Sequence, residues 1–247
     1  CDWSSDVCSS DLGNQSFSHV FLNSGLKYSW WSQYQGYAKA RSMAEPGIYP
    51  EYKVLTFQDA FFAPYNPEIL QKPSVWGPMV TWTALMAGYY SMSGFNNCVW
   101  NTGKAYIGNQ EVPIMLGFVS TFALACISYT FTGIGEESMF RGTEYEEMKI
   151  SCGVVPAKIL DATSFAAIHV PQAVAGGYDL GTIALAYATN ASAALLFQWI
   201  YDQGGLKDSI AAHMWFDVIN ASLSYLFFAG KADNGLSLNV SFTIPLQ

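Results

Sequence analysis

Six ionisable residues stand at spacings that suit chemistry: Glu136, Glu137, Arg141, His169, His213 and Asp217. Glu137 and Arg141 are i and i+4, so on a helix they share a face and pair as carboxylate and guanidinium. Glu136 lies about 100° further round the same helix and is left to face elsewhere. With Arg141 engaged by Glu137, Glu136 is the carboxylate suited to act on water as a general base. His213 and Asp217 are again i and i+4, so Asp217 can orient the imidazole or accept from its ring N–H. Phe165 and His169 share a face in the same way.

The elements carrying these residues are apolar. Only 12% of the 247 residues are charged while 51% are hydrophobic, against about a quarter charged in a typical soluble domain. An ionised side chain at a bilayer centre costs about 2.5–3.5 kcal/mol. Four of them (Glu136, Glu137, Arg141, Asp217) facing lipid would cost roughly 10 kcal/mol, comparable to the stability of a whole domain. They are therefore expected to face one another or a water-filled cavity. The expected fold is all-α: a polytopic helical membrane protein, a multi-helix bundle around a polar catalytic cavity.

The chain divides by character. Residues 1–12, CDWSSDVCSSDL, read as a translated sequencing adapter and are set aside. Residues 13–73 read as an interfacial, loop-rich region. Within it SWWSQYQGYAKARS places aromatic rings beside basic residues, which suits a membrane interface or the aromatic face of a surface helix. Glu45 to Lys72 is rich in Pro and Tyr and reads as loop with short pieces of structure. Residues 74–230 form the membrane-embedded core and 231–247 a polar tail. Lys72 and Lys104 bound a charge-free stretch. Between Glu111 and Glu136 lies an uncharged run long enough to span about 30 Å of hydrocarbon. Further apolar segments run from Val154 to Val170, Leu180 to Tyr201 and Ser209 to Ala229. The Leu180 segment is lined with small residues that let helix backbones approach closely. RGTEYEEMK and YDQGGLKD read as polar connections.

Several classes are excluded. A net charge of −8 provides no basic surface for nucleic acid. No Gly-rich phosphate loop stands between a strand and a helix. Cys98, Cys126 and Cys152 are far apart, without C-x-x-C spacing, and read as small apolar helix residues.

Three short motifs carry a resemblance. EESMFR (Glu136–Arg141) fits EExxxR, FAAIH (Phe165–His169) fits FxxxH, and HMWFD (His213–Asp217) fits HxxxN/D. In this order and at these separations they resemble the CPBP intramembrane proteases, which include CAAX-processing endopeptidases and bacterial Abi proteins. IYDQGGLKDSIAAH also resembles the turn that precedes the family's third motif. The resemblance covers roughly Val112 to Ala229 and does not extend into residues 13–73. It implies that Glu136 is the catalytic glutamate, activating water together with His169. It implies that His213 and Asp217 stabilise the oxyanion and that Glu137 and Arg141, with Phe165 in support, hold the geometry. A carboxylate donates no hydrogen bond unless protonated, so orienting His213 is the role assigned to Asp217.

The expected activity is intramembrane endopeptidase cleavage of a membrane-associated protein or peptide in the lipid bilayer, in the inner membrane if the cell is bacterial. No cofactor is expected. A zinc ion held by Glu136, His169 and His213 is the alternative, although HExxH is absent and the ligands would come from three helices. Two other classes compete: a non-proteolytic scaffold or bacteriocin-immunity-type protein on the same fold, whose motifs would be damaged, and a proton-coupled transporter, which usually shows an internal repeat. All three motifs are intact and no repeat is found.

Overall fold

The structure is a computed structural model that describes residues 11–44, 55–107, 109–175 and 177–232. The readings of the first ten residues and of nearly all the tail therefore lie outside the described residues.

A long helix, α1 (Asp11–Ala44), opens the described chain. Two short helices follow, α2 (Phe57–Phe62) and α3 (Pro67–Leu70). Thr56 caps α2 by accepting from the Asp59 N–H, and Asn66 caps α3 by accepting from Glu68. α4 (Pro73–Gly94) begins on a proline, which suits a first helical position. α5 (Val99–Thr102) ends at Gly103, whose φ of 66° relieves the left-handed turn into a short hairpin, β1 (Ala105–Ile107) and β2 (Gln110–Val112).

α6 (Ile114–Met139) runs without a break into a π-helical turn, Phe140–Tyr145, and then α7 (Glu146–Cys152). Here the structure differs from the sequence expectation, which made RGTEYEEMK a polar connection. Its charged groups do not end the helix because they find partners on other elements. Glu146 accepts from Tyr201, and Glu147 accepts from Tyr37 and pairs with Arg41. The chain continues through α8 (Val154–Ala167), α9 (Val170–Ala175), α10 (Leu180–Gly204) and α11 (Leu206–Phe228).

α6 and α11 form the centre. α1 packs along α6, α4 against α11, and α8 and α10 against each other. Three glycines set how closely α6 and its π turn are approached. A Cβ on Gly135 would lie 2.6 Å from both the Cβ and the carbonyl oxygen of Lys27 in α1. One on Gly142 would meet the Tyr34 ring at 2.7 Å, and one on Gly133 the Ile210 carbonyl at 3.1 Å. Small residues at such crossings replace the hydrophobic driving force that lipid does not supply.

The fold is all-α apart from the hairpin, and its polarity is that of a helical membrane protein. Val80, Leu85, Met92, Val119, Ile127, Leu185 and Leu195 face outward, while Glu136, Glu137, Arg141, Asp161, Gln198 and Asp217 are buried. A water-soluble domain shows the reverse. Among the described residues, two helices are long and apolar enough to cross a membrane by length and composition: Ile114–Cys152, in which an 18-residue stretch has a mean hydropathy of 1.8, and Leu180–Gly204, in which such a stretch has 1.4. The other expected segments fall short for physical reasons. α8 has 14 residues, which is about 21 Å at 1.5 Å each, and α11 carries Lys207, Asp208, His213, Asp217 and Asn220 along its length.

Candidate active site

Glu137 lies at the centre of the polar interior. It is fully buried and held from three sides. Arg141 Nη1 lies 3.3 Å from Oε1 with the expected i, i+4 spacing. The Ser209 hydroxyl of α11 donates a hydrogen bond to Oε2. His213 Nδ1 stands 2.6 Å from Oε1. Arg141 is itself fixed: Nη2 donates to the Ala194 carbonyl of α10 at 2.9 Å, Nε lies 3.8 Å from Asp161 of α8, and the guanidinium stands 4.7 Å from the Phe165 ring centroid. Gln198 in turn donates to Asp161. One charged lattice thus ties α6, α8, α10 and α11 together.

His213 is set by this lattice. A carboxylate with Arg141 on it accepts, so Nδ1 carries the proton and donates to Glu137. The ring stacks on Phe197, with centroids 4.4 Å apart and planes at 14°. Nε2 then faces two further carboxylates, Glu136 Oε2 at 3.6 Å and Asp217 Oδ2 at 3.5 Å. The group that orients His213 through a hydrogen bond is therefore Glu137. Asp217, expected to orient His213, also borders the ring, at the opposite nitrogen.

Glu136 takes a different partner from Glu137, as the 100° offset requires. Its Oε1 accepts from Lys27 Nζ of α1 at 2.7 Å, in a pair shielded from solvent. Lys27 is also seated 4.0 Å over the Trp30 ring. His169 follows the end of α8, its ring against Phe165 at 4.9 Å between centroids. Its Nδ1 lies 2.8 Å from the Phe165 carbonyl. A carbonyl only accepts, so Nδ1 bears the hydrogen and the neutral ring keeps its lone pair at Nε2.

These side chains share one cavity of ≈ 60 Å³, lined by Lys27, Glu136, His169, His213 and Asp217, with Phe165 and Phe197 as its apolar wall. That is room for water, in a chamber with several polar partners for it. Glu137 and Arg141 do not line it; they stand behind His213. Asp217 Oδ1 is buried without a hydrogen-bond partner among the described residues.

Among the described residues no group of three or more His, Cys, Asp or Glu side chains is placed to hold a metal. A cation at Glu136 would also meet the Lys27 ammonium already on that carboxylate, and like charges repel there.

Three participants were not identified from sequence. Ser209 and Asp161 are ordinary helix residues until the helices are packed. Lys27 had one legible signal, a lysine set beside YSWW in a segment otherwise poor in charge. Nothing local connects it to Glu136, which is 109 residues away.

No curated protein and no solved structure matches the chain. Residues 118–219, a stretch that contains EESMFR, FAAIH and HMWFD and leaves α1 outside, match the family model of the Rce1-like type II CAAX prenyl endopeptidases.

Proposed function

We propose that the protein is an intramembrane endopeptidase that hydrolyses a peptide bond of a membrane-associated protein or peptide, without a metal, using water activated by Glu136 and His169. The observation that carries this reading is the cavity shared by Glu136, His169, His213 and Asp217. The family match over residues 118–219 supports a protease, and the outward apolar faces support a site within the bilayer, in the inner membrane if the cell is bacterial.

In this mechanism water sits between Glu136 and His169. His169 Nε2 accepts one of its hydrogens and so aims the oxygen lone pair. Glu136 Oε2 takes the other proton as the water oxygen bonds to the scissile carbonyl carbon. When the C–N bond breaks, the proton on Glu136 passes to the leaving amine. His213 and Asp217 border the far side of the reacting group. Held rigidly by Glu137 and Phe197, His213 fixes where the peptide carbonyl can lie.

Purified Glu136→Ala and His169→Ala proteins are expected to insert and melt like the parent but to cleave a confirmed peptide substrate at least 100-fold more slowly, the range for loss of a general base. Parent-like turnover by either variant would overturn the role of the residue it lacks.

A further inference from the structure

We infer that Lys27 of α1 is a further catalytic residue: its ammonium binds the oxyanion formed when water attacks the scissile carbonyl, a role that rests on the peptidase reading. Amide hydrolysis places negative charge on the carbonyl oxygen, and preorganised donors there are usually the largest single contribution to the rate. The other donor-bearing side chains that line the cavity, Asn23, Tyr129, Thr132 and Asn190, are neutral. Glu136 and Asp217 are acceptors. The Nδ1–H of His213 is committed to Glu137 and that of His169 to the Phe165 carbonyl. Arg141 is turned away into the lattice behind His213.

Lys27 has what these lack. It lines the cavity, carries a positive charge and has three N–H donors, of which Glu136 Oε1 takes one. Because it sits on Oε1, Oε2 remains for the proton of the attacking water. The base and the oxyanion donor are then neighbours on one carboxylate. In the step itself, a water O–H proton goes to Glu136 and the oxygen forms a bond to the carbonyl carbon. The C=O π pair moves to the carbonyl oxygen, where Lys27 N–H groups hold it. On collapse that pair re-forms C=O, the C–N bond breaks, and Glu136 returns its proton to the amine.

The backbone supports this placement independently. Gly135, next to Glu136, leaves no room for a Cβ because the Lys27 backbone lies against it. That contact presses Lys27 onto the reacting carboxylate, and the Trp30 ring holds the ammonium from the other side.

The experiment uses the full chain in lipid nanodiscs and a quenched-fluorescent peptide selected for cleavage by the unmodified protein. Lys27→Met is expected to lower kcat about 100-fold or more, the range for removal of one oxyanion donor, with KM within about threefold. Lys27→Arg is expected to recover activity to within about tenfold of the parent. The loss in Lys27→Met must persist on the high-pH plateau. Recovery there would mean that lysine serves only to keep Glu136 ionised, and the inference would fall. It also falls if kcat stays within about threefold of the parent. Thermal melting checks folding, and Lys27→Gln takes the place of Lys27→Met if the latter does not fold. A parent protein that cleaves while Glu136→Ala does not, beside a fully active Lys27→Met, removes the Lys27 role and leaves the peptidase reading standing. If the parent cleaves no peptide, the peptidase reading itself goes.

Discussion

At Glu137 an arginine, a serine and a histidine meet one carboxylate in a space with no exposed surface. Removing one partner of a buried ion pair costs far more than the pair contributes, because the remaining charge is stranded. Arg141→Met strands both Glu137 and Asp161. It is expected to lose about 3–5 kcal/mol of stability, read as a lower melting temperature in detergent, with activity lost as His213 loses its anchor. Arg141→Lys is expected to recover only part of this. One ammonium cannot reproduce a planar fork that reaches Glu137 and the Ala194 carbonyl together.

Among helices, α1 and α6 approach closely at Gly135. Gly135→Ala must force α1 outward, since its new Cβ would meet Lys27 backbone atoms that cannot rotate aside. The expected outcome is a folded protein whose kcat falls about as far as that of Lys27→Met. A cross-link between cysteines placed on α1 and α6 would lose efficiency in parallel. Parent-like kcat in Gly135→Ala would show that the contact does not hold Lys27 in place. Such contacts also mark the limit of what the sequence displays. Glu137 with Arg141, and Phe165 with His169, were legible because i, i+4 geometry is a property of any helix. Glu136 parted from Glu137 for the same reason. Lys27, Ser209 and Asp161 were not legible, because their partners come from other helices and only packing brings them within reach. The RGTEYEEMK segment was misread because its polarity resembles a loop, while its partners, Tyr37 and Tyr201, lie on α1 and α10.

For the molecule as a whole, the inverted polarity makes a prediction that separates lipid from water as its surroundings. Leu195 stands on the outer face of α10, near the middle of a candidate span. On a water-facing surface, Leu195→Asp would change stability by no more than about 0.5 kcal/mol. Facing hydrocarbon it costs about 2.5–3.5 kcal/mol. The expected result is a marked loss of membrane-inserted protein in a fractionation assay, with Leu195→Ala inserted normally.

The π-helical turn from Phe140 to Tyr145 governs which kinds of sequence change this protein can accept. A π turn takes up about one residue more than an α turn, and here it lets Glu137, Arg141 and Tyr145 all remain buried in succession. Chain length within the turn acts as a phase adjuster between the polar centre above it and the Glu146 and Glu147 contacts below. Deleting one residue would restore a plain helix and cost little in local hydrogen bonding. It would also swing α7 by about 100° and uncouple it from α1 and α10. Substitutions in this stretch act side chain by side chain, whereas a change of one residue in length acts on every contact beyond it at once.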